Sequence, residues 1–195
     1  MKTLFKVLIL CCVFASVLSC KTSNEDPVPN NYGEVEIQED SYVLVGGLLH
    51  NQGLDPYRDY EGEVKKYDGY FMKMYLFSKD YNFVNGERYG EEGPGKGTLL
   101  ELNLYSSNKE RLDQGEYVFS TGMHSPVFSL SLSSYSRDWL PQTTLTTYFI
   151  EEGNVNVKKS GEIYEISLDC KDQFNVPIKG YYKGTLQYSD KEGEN

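Results

Sequence analysis

Along most of this chain every second side chain is apolar. Tyr70, Met72, Met74 and Leu76 are separated by Phe71, Lys73 and Tyr75, and Leu100, Leu102 and Leu104 by Glu101 and Asn103. Farther on, Tyr164, Ile166 and Leu168 alternate with Glu165 and Ser167. A spacing of two places the apolar set on one face of an extended strand, whereas a helix would scatter the same residues around its axis. The runs are short and are interrupted about every ten to fifteen residues by Gly, Asn, Asp or Pro, the rhythm of strands and turns. Beyond residue 19 no convincing helical period is found. The expected fold is therefore all-β, either an antiparallel β-sandwich or an up-and-down, barrel-like meander. The 17 tyrosines and 9 phenylalanines agree, because aromatic side chains suit a pleated surface.

Two segments carry finer expectations. Phe128, Leu130 and Leu132 alternate with Ser129, Ser131 and Ser133, which predicts an apolar face and a serine face on one strand. Near the C-terminus, Val155 and Val157 lead through Lys159-Ser160-Gly161 to the strand holding Tyr164, Ile166 and Leu168. Asp169-Cys170-Lys171-Asp172 then reads as the opening of a loop. The chain returns with Ile178, Tyr182, Leu186 and Tyr188 on one face, together with Gly180 and Gly184. This part is expected to form an antiparallel meander.

The N-terminus is of another kind. Lys2 and Lys6 precede an apolar or small run from Val7 to Leu18, followed by Ser19-Cys20. About twelve residues of helix reach only about 18 Å, short of a hydrocarbon core of about 30 Å, so the run reads as a removable export leader. Val17-Leu18-Ser19-Cys20 resembles a lipobox, the motif at which bacteria acylate a cysteine and cut before it. The resemblance implies that Cys20 becomes the lipid-bearing first residue of the mature chain. Lys-Thr-Ser-Asn-Glu-Asp-Pro follows, polar and aperiodic, and reads as a tether. The organisation expected is a leader over 1–19, a tether over 20–31 and one all-β domain over 32–195. Lys21 after the cysteine resembles the pattern of outer-membrane retention, and Glu25-Asp26 resembles the acidic export tag of surface lipoproteins of Bacteroidetes. The text from Gly153 to Tyr188 and the upstream Leu112–Gly122 resemble hairpins of uncharacterised lipoproteins of the same bacteria. That resemblance implies a fold and an outer-membrane location, and no reaction.

The chain carries a net charge of −10, and its leader holds two basic residues and no acidic one, so the remainder is more acidic still. Such a domain is repelled by phosphate backbones, which argues against a nucleic-acid partner. Of four cysteines, two leave with the leader and Cys20 takes lipid, so Cys170 has no intrachain partner and is expected to be a buried structural thiol.

No catalytic constellation, metal site or cofactor motif stands out. Gly90–Thr98 misses a P-loop, since the residue after Lys96 is Gly97 and a strand, rather than a helix, follows. Glu34, Glu36 and Glu39 resemble the acid cluster of β-sandwich glucanases but read better as charges guarding an edge strand. His50 and His124 read as surface or loop histidines. Asp55, Asp59, Glu61 and Glu63 lack the spacing of a calcium loop. What remains is a set of tyrosines outside the obvious strands. Tyr57, Tyr60, Tyr81 and Tyr89 occupy long connections, where a rigid ring with a hydroxyl suits recognition. The function expected is that of a membrane-anchored, extracytoplasmic, non-catalytic binding module for an extracellular polymer such as carbohydrate. Its rivals are a structural or assembly lipoprotein of a surface fibre or outer-membrane complex, and a lipocalin-like binder of small ligands.

Overall fold

The fold is seen in a computed structural model that describes residues 31–58, 64–78, 83–84, 87–88, 97–121, 126–137 and 147–192. Among these every regular element is a strand. The N-terminal half supplies β1 (Tyr32–Ile37), β2 (Asp40–Arg58), β3 (Val64–Ser78), the short β4 (Phe83–Val84) and β5 (Glu87–Arg88), and β6 (Thr98–Ser106). The C-terminal half supplies β7 (Gly115–Phe119), β8 (Ser129–Arg137), β9 (Thr147–Ser160), β10 (Ile163–Asp172), β11 (Pro177–Gly184) and β12 (Gln187–Asp190).

The main sheet runs β1-β11-β10-β9-β7-β8-β6-β3-β2-β12, and a further pairing of β1 with β2 joins its ends. Nine strands thus form a closed barrel, and β12 lies outside the ring. The barrel-like expectation holds, and the sandwich does not. Closure depends on β1, whose residues Gly33–Ile37 pair with Leu44–Asp40 of β2 while Tyr32–Ile37 pair with Lys183–Ile178 of β11. β1 is therefore no edge strand, a correction to the reading of its glutamates. Glu34 and Glu36 are exposed because alternation turns them outward, while Val35 and Ile37 fill the interior. Beyond the point where β1 leaves β2, β12 takes over that edge and pairs in parallel with Leu48–Asn51. Tyr188 therefore lies on a separate strand, 38% exposed, and does not share the buried face of Ile178 and Tyr182.

The apolar interior is made of the predicted alternating sets. Met72, Met74 and Leu76 of β3 and Leu100, Leu102 and Leu104 of β6 are all 0% exposed. Three buried tyrosines span from the core to the barrel ends, where their hydroxyls find partners, as a buried phenol requires. Tyr117 donates to the Asp113 carbonyl at 3.0 Å and Tyr182 to that of Thr185 at 2.7 Å, both at one end. Tyr135 donates to the Asp172 carboxylate at 2.9 Å at the other. Outside, ion pairs ladder β9, β10 and β11 through Lys171–Glu152, Lys179–Asp169 and Lys183–Glu165. Over β9–β11 the outer wall is thus charged, unlike the apolar lipid-facing band of a transmembrane barrel.

β8 departs most from expectation. Leu130 is buried, but Phe128 and Leu132 are 39% and 81% exposed, with φ of 65° and 41°. The pairing of β6 with β8 slips between Glu101 and Asn103, so β8 carries an extra residue there. A bulge of one residue reverses which face the following side chains occupy. Ser133 turns into the buried layer, and Leu132 is expelled. Asn103 holds the bulge, donating from Nδ2 to the Leu132 carbonyl at 2.8 Å and from its backbone N–H to Ser133 Oγ at 2.9 Å.

Two further readings are corrected. His50 is a strand residue, 8% exposed, with its ring edge-on to Tyr75 at 5.3 Å. β10 continues through Asp172, so the loop expected from Asp169 begins only at Gln173. Cys170, inside that strand, is 1% exposed, and burial pushes its thiol up to about 12. The reactive thiolate is thereby suppressed. We expect iodoacetamide at pH 8 to leave Cys170 unmodified in the folded chain and to alkylate it promptly in denaturant; equal rates in both states would contradict this burial.

Candidate functional site

The two ends of the barrel differ. The chain enters at Tyr32, beside the β9–β10 turn and the 107–114 loop. At the opposite end β1 finishes, β2, β9 and β11 begin, and β3, β8 and β10 stop. There a cluster of aromatic and charged side chains forms a mouth.

Its centre follows from register. Tyr135 on β8 lies directly opposite Tyr148 on β9, and their rings stack at 5.0 Å with 14° between planes. Arg137, two residues after Tyr135, places its guanidinium 5.6 Å from the Tyr148 ring centre, a cation–π distance, and its Nη1 lies 3.4 Å from the Asp40 carboxylate. Phe174, in the β10–β11 turn, meets Tyr148 nearly edge-on at 6.5 Å. It is 66% exposed, and Phe149 is 50% exposed on the outer side of the rim.

Asp172 organises this turn. Its side chain is 3% exposed. One carboxylate oxygen accepts from the backbone N–H groups of Phe174 and Val176, at 2.8 and 2.9 Å, and the other from Tyr135. The turn is also stitched to β9, for Gln173 N–H donates to the Phe149 carbonyl at 2.9 Å and the Phe149 N–H donates to Gln173 Oε1. Burial, reinforced by its bond to Asp172 and that residue's charge, pushes the Tyr135 hydroxyl well above the ordinary phenol range. Tyr135 is accordingly a neutral hydrogen-bond donor at any physiological pH.

The arrangement can present apolar ring surface beside a guanidinium and a carboxylate, on a rim fixed by backbone hydrogen bonds. Among the described residues it places no nucleophile beside a base. Among the described residues no three His, Cys, Asp or Glu side chains gather as metal ligands.

None of these mouth residues is among the candidate site residues singled out in the sequence. Cys20, Tyr60, Tyr81 and Tyr89 lie outside the described residues, as do His124 and most of the acidic segment after Leu54. Tyr57 is described only by its backbone, which pairs with Lys65. The connections holding these tyrosines leave β3 at opposite ends. That of Tyr81 and Tyr89 is rooted at the mouth, where the Thr98 N–H donates to Ser78 Oγ at 3.0 Å across its base. That of Tyr60 joins β2 to β3 at the far end of β3. Sequence reasoning missed Phe149, Phe174, Arg137 and Asp40; the one local signal was Asp172 just ahead of Phe174-Asn175, a pattern typical of side-chain-capped turns.

No protein-family model, curated protein or solved structure matches this chain. Fold and site together define its class: a closed, predominantly antiparallel β-barrel with a filled lumen and an aromatic mouth.

Proposed function

We propose that this chain is a lipid-anchored, non-catalytic binding module that takes an extracellular polymer, carbohydrate foremost, at its barrel mouth. The observation that carries the reading is the exposure of Phe149 and Phe174 beside a turn held by hydrogen bonds to Asp172 and between Gln173 and Phe149. Exposed rings held rigid lose little freedom on binding, and the apolar faces of pyranose rings pack against such surfaces. Arg137 and Asp40 supply the polar groups that would orient hydroxyls. The anchor rests on the leader and Cys20. Because β1 enters at the end opposite the mouth, a tether at its start would leave the mouth facing away from the membrane. A lipocalin-like role shares the barrel, but the lumen is occupied by side chains such as Met72, Met74, Leu102 and Leu104 at 0% exposure, so a ligand there would have to displace them. Assembly by strand addition would need an open sheet edge, which among the described residues is confined to the short β12 and to the β2–β3 pairing beyond Tyr70.

The test is titration of the mature chain with neutral and acidic soluble polysaccharides. At least one should bind, and the Phe149→Ala/Phe174→Ala variant should bind about tenfold more weakly at nearly unchanged stability, since exposed rings contribute little to the core. Binding that survives the double variant would move the site elsewhere, and no binding across the panel would overturn the reading. Intact-mass measurement of protein from cells should show a diacyl- or triacyl-modified Cys20; an unmodified N-terminus would remove the anchor.

A further inference from the structure

At the end opposite the mouth, the 107–114 loop and the β9–β10 turn enclose a cleft of about 510 Å3 lined by Arg111, Leu112, Asp113, Gln114, Lys159, Gly161 and Glu162. Its walls are built in advance of any ligand. Ser106 Oγ, on a residue 0% exposed, donates to the Arg111 carbonyl at 3.0 Å and receives the Asp113 N–H at 3.1 Å. Oδ2 of the Asp113 carboxylate accepts from the Ser107 N–H at 2.7 Å and lies 3.1 Å from Ser106 Oγ, whose single proton is shared between it and the Arg111 carbonyl. Gln114 Oε1 accepts from the Lys159 N–H at 3.2 Å, tying the loop to β9 and leaving the amide nitrogen as a donor. The Lys159 ammonium lies 5.2 Å from the Tyr164 ring centre and donates to the Gly161 carbonyl.

With those groups assigned, Arg111 and Glu162 are left over, together with the Oδ1 side of the Asp113 carboxylate. Arg111 and Glu162 are both exposed, and neither has an ion-pair partner among the described residues. Both line the same cleft. A rigid cleft with a free guanidinium, an ammonium and an amide N–H is rich in donors and suits an oxyanion, which a guanidinium can grip with two bonds. The Glu162 carboxylate and Asp113 Oδ1 beside it suit an ammonium or hydroxyl on the same ligand. The position adds a second constraint. Gly184 and Lys159 both pair with Tyr164, so they stand two interstrand spacings apart, roughly 10 Å. Next to Gly184, Asn31 Oδ1 accepts from the Thr185 N–H at 2.9 Å, which fixes the chain's entry beside the cleft.

We propose that this cleft binds a phosphate carried next to an ammonium group, the chemistry of phosphoethanolamine, through Arg111, Lys159 and Gln114 on the phosphate and Glu162 on the ammonium. This site is independent of the mouth, and only its membrane form rests on anchoring through Cys20. The test is protection of Arg111 from phenylglyoxal in the mature chain, read by peptide mass spectrometry with Arg137 as internal control. In a phosphate-free detergent, O-phosphoethanolamine should slow Arg111 modification about tenfold at saturation, inorganic phosphate should do so only at higher concentration, and ethanolamine alone should not. Glu162→Gln should erase the difference between the first two. Modification of Arg111 at one rate throughout, or parallel protection of Arg137, would overturn the proposal. Reconstitution separates the sources. Protection in vesicles of phosphatidylethanolamine and phosphatidylcholine, absent in phosphatidylcholine alone, assigns the ligand to the bilayer; protection only by the soluble compound assigns a free metabolite.

Discussion

Gly153→Ala should cost the barrel about 3 kcal/mol or more, or prevent folding, measured as the loss of unfolding free energy in urea. Gly153 lies opposite Cys170 in the β9–β10 ladder with φ of +121°, a conformation side chains rarely adopt. A Cβ built there would stand 2.2 Å from the Asp169 carbonyl oxygen and 2.5 Å from the Cys170 Cα. Both are backbone atoms of a strand paired on its other side with β11, so no rotamer change relieves the clash. Gly161→Ala is the matched control. Its φ is +58°, yet nothing lies within 4 Å of the added carbon, so only the backbone preference of about 1 kcal/mol is lost. Equal losses in the two variants would show that the close approach at Gly153 relaxes without cost.

Asp172→Ala should be the second large effect, about 3 kcal/mol, accompanied by loss of binding at the mouth. The substitution removes the acceptor for three donors at once, the Tyr135 hydroxyl and the N–H groups of Phe174 and Val176. A buried donor without a partner costs about 1–3 kcal/mol, less where water can reach it, and the turn is only partly covered. Tyr135→Phe removes a single donor and leaves the two turn bonds intact, so about 1 kcal/mol is expected and the rim should keep its shape. Comparing the two in urea unfolding and polysaccharide titration separates stability from presentation of Phe174. Loss of both in Tyr135→Phe, to the same extent, would mean that the hydroxyl bond and not the turn sets the mouth.

The candidate site was scarcely legible in the sequence, for a reason visible in its members. Arg137 meets Asp40 across 97 residues and Tyr135 meets Asp172 across 37. Neither spacing follows any local period, and each contact exists only because the barrel closes. The loop tyrosines drew attention because they are conspicuous along the chain, whereas the rim phenylalanines looked like ordinary strand and turn residues. His50 misled for a related reason, since a lone histidine carries no local mark of the aromatic neighbour that helps to bury it.

What the chain determined by itself is strand character and, over uninterrupted stretches, which face is apolar. Met72–Leu76, Leu100–Leu104 and Tyr164–Leu168 behave as their alternation requires, because in an extended chain the direction of a side chain depends only on parity. Parity is local and is broken by one inserted residue. In β8 the bulge opposite Glu101–Asn103 exposes Leu132 and buries Ser133, and nothing in a strictly alternating text announces it. The sheet's order, the parallel placements of β7 and β12, and closure through β1 were likewise decided only in three dimensions. Backbone N–H and C=O groups are alike in every residue, so a strand's composition does not name its partner. The partner is chosen by which pairings together bury every apolar face, and that condition belongs to the whole barrel.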